Sequence, residues 1–258
     1  MTEPNKGPRI AVLVKQVPDI TAMKVDPATR KPVMPTERVM NTYDAYAVSA
    51  AIDVRERHGG SITVVTMGPP AARDVLMRAM AIGADDAIHI DAAVDDDIDT
   101  LATARLLASA VSEGFDLVLA GQSTDDIETG QVGPQVAELL GWPHVSLVTH
   151  IEVDQDHVRV NRDAEASKEV IEAPLPTVLM VLSGRDVEQR YPTLRGMMAA
   201  KKKPLRQVTP EVQADQARLS WSEPTAPVRD ATGIILRDLP AEEAATQLVT
   251  WLKERRLA

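Results

Sequence analysis

The chain has 258 residues, 28 Lys+Arg against 38 Asp+Glu, a formal net charge of -10, and only one Phe, three Tyr and three Trp. That acidity argues against a general nucleic-acid binder, and the lack of cysteine excludes disulfides, thiolate metal sites and a cysteine nucleophile. Its apolar runs fall far short of the roughly 18 residues needed to cross a bilayer and the N-terminus lacks a signal-peptide core, so a cytoplasmic protein without membrane insertion is expected.

In chain order, Ile10-Ala11-Val12-Leu13-Val14 predicts a buried strand, and Lys15-Gln16-Val17-Pro18-Asp19 a turn at its carboxyl end, where ligands of open α/β sheets gather. Residues 23–34 predict a small surface hairpin around Asp26-Pro27-Ala28-Thr29. Asn41-Thr42-Tyr43-Asp44 precedes a helix with an apolar face of Ala45, Val48, Ala51, Ile52 and Val54, capped by Asn41 or Thr42 and ended by Gly59-Gly60. Residues 61–67 predict a strand, a helix follows from Gly68-Pro69-Pro70 to Ile82-Gly83, and Ala87-Ile88-His89-Ile90 is the next strand. Asp95-Asp96-Asp97 and Asp99 then suit the dipole at the start of a helix over 100–111; no other hard ligands nearby favour a metal there.

Residues 115–143 form the stretch around which the chain is organised. Asp116-Leu117-Val118-Leu119-Ala120 is a buried parallel strand broken by Gly121, and from Gly130 a helical pattern places Val132, Val136, Leu139 and Leu140 on one face before Gly141-Trp142-Pro143 stops it. The unpartnered amides of Thr129, Gly130, Gln131 and Val132, together with the helix dipole, make a seat for an anion, most often a phosphate. Neither G-x-G-x-x-G nor a P-loop lysine is present. Asp125, Asp126 and Glu128 put negative charge beside that seat; they point at ribose hydroxyls, at backbone donors or at water.

Strands alternating with helices predict an α/β, doubly wound, mostly parallel sheet with right-handed crossovers. Residues 145–153, 157–162 and 168–172 then alternate apolar and polar, predicting an antiparallel ribbon, and 177–182 is an apolar strand that returns to the main sheet. Residues 185–203 hold Tyr191, Leu194, Met197 and Met198 beside Lys201-Lys202-Lys203. This is either a helix packed on the core, with the lysines as a solvated last turn, or a docking surface. Residues 210–229 read as an extended arm and 241–257 as an amphipathic helix. The chain therefore divides into an α/β domain over 1–205, including the segment 185–203, and a C-terminal arm and helix over 206–258.

Four motifs carry a resemblance. Val14-Lys15-Gln16-Val17-Pro18-Asp19, the Asn41 and Asp44 pair, the loop from Gly121 to Pro134 and the segment from Arg190 to Lys203 are together similar to the β subunits of electron-transfer flavoproteins, and the similarity covers essentially the whole chain. The resemblance implies an adenine-nucleotide α-hydrolase-like sheet and a heterodimer with an α subunit that holds most of an FAD shared between the two. It also implies an AMP or a second, bifurcating FAD in the β subunit, with residues 206–258 packing on the partner subunit. By the same resemblance, nucleotide contacts fall on Leu13, Asn41, Thr42, Tyr43, Asp44, Met67, Gly121, Gln122, Asp126, Glu128, Thr129, Gly130, Gln131 and Val132. Docking to flavin-dependent dehydrogenases falls on Leu194, flanked by Tyr191, Met197 and Met198, with electrons passed on to a quinone oxidoreductase or another acceptor. The loop over 124–134 and the segment 99–103 look closer to bifurcating members. Two departures are Ala166-Ser167, where members often carry a glycine pair, and Ile20, where some carry an aromatic residue against the flavin.

None of the five histidines sits at a triad spacing from a serine or paired carboxylates, so no catalytic residue and no metal site is expected; the chemistry belongs to a flavin. A universal-stress-type nucleotide sensor is the alternative, as a self-sufficient homodimer without ribbon, docking loop or arm. An adenylating enzyme of the PP-loop kind would need a Ser-Gly-Gly loop after the first strand, and residues 15–19 are not that.

Overall fold

Buried strands of aliphatic residues set the architecture in a computed structural model of the chain, which describes residues 7–92, 98–164, 166–182, 188–209, 218–219, 222–228 and 234–257. In order, the elements are β1 (Arg9–Leu13), β2 (Gln16–Pro18), β3 (Lys24–Val25), β4 (Pro32–Val33), β5 (Arg38–Met40), α1 (Thr42–His58), β6 (Ser61–Gly68), α2 (Arg73–Ile82) and β7 (Asp86–Asp91). Then come α3 (Thr100–Val111), β8 (Leu117–Gly121), α4 (Val132–Leu140), β9 (His144–Val153), β10 (His157–Ala164), β11 (Ser167–Pro174), β12 (Thr177–Val181), α5 (Leu194–Ala200), β13 (Leu205–Val208) and α6 (Ala241–Glu254).

One nine-stranded sheet runs β11-β10-β9-β12-β8-β1-β6-β7-β13. Seven strands, from β9 to β13 in that order, are parallel, and β10 and β11 continue from β9 as antiparallel strands. The expected ribbon and the return of β12 to the main sheet are both present, and β9 belongs to both parts, pairing parallel to β12 and antiparallel to β10.

The pleat of β1 divides the core. Ile10 and Val12 pack with α1 and α2 on one face, Ala11 and Leu13 with α3 and α4 on the other, and all four are buried. Each buried Val, Leu or Ile contributes about 1.5–3 kcal/mol, so two such layers stabilise the fold without many aromatic residues. With so many alanines, α1 lies close against the sheet and buries residues around most of its circumference.

Two short strands, β2 and β13, escape the sequence pattern, while the expected hairpin is present. The expected turn over 15–19 is partly a strand, β2, paired antiparallel to β5, and the hairpin over 23–34 is β3 and β4, turned by Asp26, whose carboxylate accepts the amides of Ala28 and Thr29. β13 adds a parallel edge strand beside β7 and carries the sheet to Val208. The run Asp95–Asp97, Arg185 and much of the stretch 210–229 lie outside the described residues. Among the described residues no helix is long and apolar enough to cross a membrane.

Candidate functional site

The chain order of the sheet changes direction between β1 and β8: β1 leads on to β6 and β7 on one side, while β8 leads on to β12 and β9 on the other. A crevice opens at such a switch point beyond the carboxyl ends of the strands. Leu13 closes β1, Met67 lies near the end of β6 and Gly121 closes β8, so these three expected residues share one edge of three adjacent parallel strands.

The N-terminus of α1 is tied to the loop after β8 across this crevice. Asn41 is fully buried; its side-chain amide donates to Ser123 O at 2.9 Å and its Oδ1 accepts the Asp125 amide at 3.0 Å. Asp125 returns the contact, accepting the Thr42 amide at 2.8 Å. The expectation that Asn41 or Thr42 caps α1 with its own side chain is therefore corrected. Asn41 occupies the N-cap position with no side-chain cap bond, and a carboxylate from a remote loop takes the first free amide.

Asp44 makes the second tie. Its carboxylate is buried and accepts the Lys15 amide at 2.7 Å and the Gly121 amide at 3.1 Å, joining the turn after β1, α1 and β8. Burial pushes its pKa up to about 7, against the opposing pull of the Lys15 amide, Asn41, the Gly121 amide and the Lys15 charge. Gly121 is required for this approach, because a Cβ there would lie 2.4 Å from Asp44 Oδ1 and 2.6 Å from Tyr43 Cβ. The Lys15 ammonium, meanwhile, pairs with Asp126 at 2.7 Å, and the Asp126 side chain is largely covered.

Two of the three loop acids are thus accounted for within the protein: Asp125 faces a backbone donor and Asp126 a lysine. Glu128 is exposed and sits at φ 56, with its amide on Thr124 O. Gln122 turns away from the loop, its amide donating to Val181 O and its Oε1 accepting the Leu147 amide at 2.6 Å.

Beyond Glu128, Gly130 is left-handed at φ 61 and Gln131 right-handed, so successive amides turn toward one concavity of the kind that holds anions. α4 begins at Val132, two residues later than the Gly130 start read from the sequence, and Gln131 at its N-cap makes no side-chain cap bond. The Gln131 side chain instead accepts the Thr100 hydroxyl at 2.9 Å, and Thr100 Oγ1 accepts Gln135 Nε2 at 3.2 Å, bringing the start of α3 beside the start of α4. Next to it, Asp99 caps α3 through the Ala102 amide and also accepts the Arg218 amide, fixing part of the C-terminal arm at this edge. Those amide bonds, Ala102's first, hold its carboxyl below the usual range.

Residues 190–203 lie elsewhere. Helix α5 packs on the end of α2, with Gly196 so close that a Cβ would sit 2.2 Å from Ala81 O, and Ala200 is buried. Tyr191, Leu194, Met197 and Met198 nonetheless face solvent, Leu194 at 74% exposure, so the helix packs on the core through one side and leaves an apolar row exposed on the other. The expectation that all three lysines form a solvated turn fails for Lys203, whose ammonium donates to Met80 O and Ala84 O at the end of α2.

The sequence reading missed the partners that build the crevice: Asp125 as the cap of α1, Lys15 as the partner of Asp126, and Thr100 as the partner of Gln131. Lys15 did carry a signal, as a lysine at a strand end in a chain whose loop after β8 holds three acids.

A family model for the electron transfer flavoprotein domain matches residues 34–213. The electron transfer flavoprotein subunit beta of Clostridium acetobutylicum is 32% identical over 95% of this chain and 98% of its own length. The same-named subunit of Bacillus subtilis is 36% identical over 84% of this chain and 86% of its own. The caffeyl-CoA reductase-Etf complex subunit CarD of Acetobacterium woodii is 32% identical over 96% of this chain and 99% of its own.

Proposed function

We propose, from the premise that this chain belongs to the electron transfer flavoprotein family as a β subunit, that it serves electron transfer as one half of a heterodimer with an α subunit and holds an adenine nucleotide at the β1/β8 switch point. The observation that carries this reading is the division of labour in the loop after β8. Asp125 and Asp126 are taken up by Thr42 and Lys15, while Gln131, at the N-cap of α4, makes no side-chain cap bond to that helix. An anion can settle there without meeting Asp125 or Asp126, which leaves the exposed Glu128 as the one acid of the loop beside the seat.

Thr129, Gly130, Gln131 and Val132 would hold the phosphate, and Leu13, Asn41 to Asp44, Met67, Gly121, Gln122, Asp126 and Glu128 would shape or line the remaining crevice. Adenosine monophosphate and the adenylate half of FAD present the same groups to these residues, so the site is assigned to that shared chemistry. A flavin, when bound in the heterodimer, supplies the redox chemistry. The protein's own part is to hold the nucleotide, keep the crevice rigid and present Leu194, Met197 and Met198 to flavin-dependent dehydrogenases, with a quinone oxidoreductase or another acceptor downstream. Exposed Arg195, Lys201 and Lys202 around that apolar row, on a chain of net charge -10, call for an acidic rim around an apolar pocket on the donor. A cytoplasmic setting suits such partners.

Co-expression with the α subunit tests the reading. A yellow heterodimer is the expected product; a colourless homodimer that binds ATP would favour the nucleotide-sensor alternative.

A further inference from the structure

We propose that Arg190 is a positioning residue, a clamp through which helix α1 fixes the direction in which the docking helix presents Leu194; the inference rests on the docking reading of that helix. The Arg190 guanidinium donates to Glu56 through both terminal nitrogens, at 2.7 and 2.6 Å, and to Asp53 at 2.5 Å. Its backbone amide donates to Ser49 Oγ at 3.0 Å, and the hydroxyl of Ser49, fully buried, donates in turn to Ala45 O at 2.8 Å. Residues 45, 49, 53 and 56 fall at spacings of four, four and three along one stripe of α1, so a single residue is held at successive turns of one helix.

An isolated exposed ion pair does little, but a forked guanidinium that bridges two carboxylates and is backed by a buried backbone bond has one geometry. The Arg190 side chain is 35% exposed, Asp53 33% and Glu56 54%, so the clamp is half shielded from solvent. The carboxyl of Glu56 is held below its usual range, first by the hydrogen bond from Arg190.

Leu194 lies four positions after Arg190, a reach of about 14 Å if the chain were released. At the far end the segment is already secured, by Gly196 against Ala81 O and by Lys203 on the last carbonyls of α2. Arg190 supplies the matching hold at the entrance. The same α1 whose first turn meets the loop after β8 therefore carries the root of the docking helix on its middle turns, which places both functional surfaces on one rigid element.

The test compares Arg190→Ala, Arg190→Lys, Leu194→Ala and the double variant R190A/L194A in the purified heterodimer, using the flavin dehydrogenase that reduces the unmodified pair. Arg190→Ala is expected to raise KM for the dehydrogenase about tenfold with kcat unchanged. Hydrogen–deuterium exchange should quicken at residues 191–196 while the bound nucleotide is retained. Lysine, which keeps the charge but not the fork, should recover only part of the KM. Because Arg190 acts through Leu194, the double variant should dock no worse than Leu194→Ala alone. The clamp is overturned if Arg190→Ala leaves KM and exchange unchanged while Leu194→Ala weakens docking, or if the two losses simply multiply. If Leu194→Ala itself has no effect, the docking reading fails and takes the clamp with it.

Discussion

Asp44 and Gly121 meet at 3.1 Å where the first turn of α1 crosses the end of β8, the buried carboxylate accepting the strand's last amide. Because Asp44 also accepts the Lys15 amide, one side chain sets the spacing between the two strand ends that bound the crevice. The fit leaves no room for a Cβ at Gly121. Gly121→Ala should therefore force α1 away from β8, lower stability by about 1–3 kcal/mol and weaken nucleotide retention. Denaturant unfolding of the variant beside the parent checks this, and an unchanged midpoint would show that the contact is soft.

Asp44 predicts a pH dependence. Its folded pKa is raised to about 7, so between the ordinary carboxylate value and 7 the folded state binds more protons than the unfolded one. Its contribution is fully present below the unfolded pKa of 3.8 and is lost as pH rises toward 7. Asp44→Asn removes that slope and also turns an amide group toward one of two N–H donors, costing about 1–3 kcal/mol. Unfolding midpoints collected from pH 5 to 8 should converge for parent and variant as pH rises; parallel curves would mean that Asp44 is ionised throughout.

Lys15→Met leaves the shielded Asp126 carboxylate without its cation. The loss of stability should be modest, about 1 kcal/mol, but exchange of amides at 122–128 should quicken, because the pair fixes the loop to the end of β1. Unaltered exchange in that loop would assign its order to Asn41 and Asp125 alone.

If α5 docks as proposed, Leu194→Ala on its exposed side should weaken productive encounter with a flavin dehydrogenase by about 2 kcal/mol, roughly thirtyfold, with nucleotide content and thermal stability unchanged. Dehydrogenase-coupled flavin reduction measured against dehydrogenase concentration reads this directly. Equal activity in the variant would remove Leu194 from the docking surface.

The parts of the molecule legible in the sequence were those fixed by local pattern. Ile10 to Leu13 and Leu117 to Ala120 are continuous aliphatic runs that only a two-sided sheet can bury, and Asp99 caps α3 three residues from the amide it accepts. What escaped depends on chain separation. Asp125 caps a helix that starts 83 residues earlier, and Lys15 finds Asp126 at a separation of 111, distances at which no periodicity operates. β13 is four residues of mixed pattern whose strand character comes from lying beside β7. Lys203 looked like its two solvated neighbours and differs only because the carbonyls ending α2 lie beneath it.

Acid extraction of the purified heterodimer, followed by counting the released adenine compounds, tests the central claim most directly. The account predicts the FAD shared with the α subunit together with one further adenine nucleotide per heterodimer, either AMP or a second FAD, and loss of that extra nucleotide in Gly121→Ala. One FAD and no other adenine compound would contradict the assignment of the loop after β8 as a nucleotide seat.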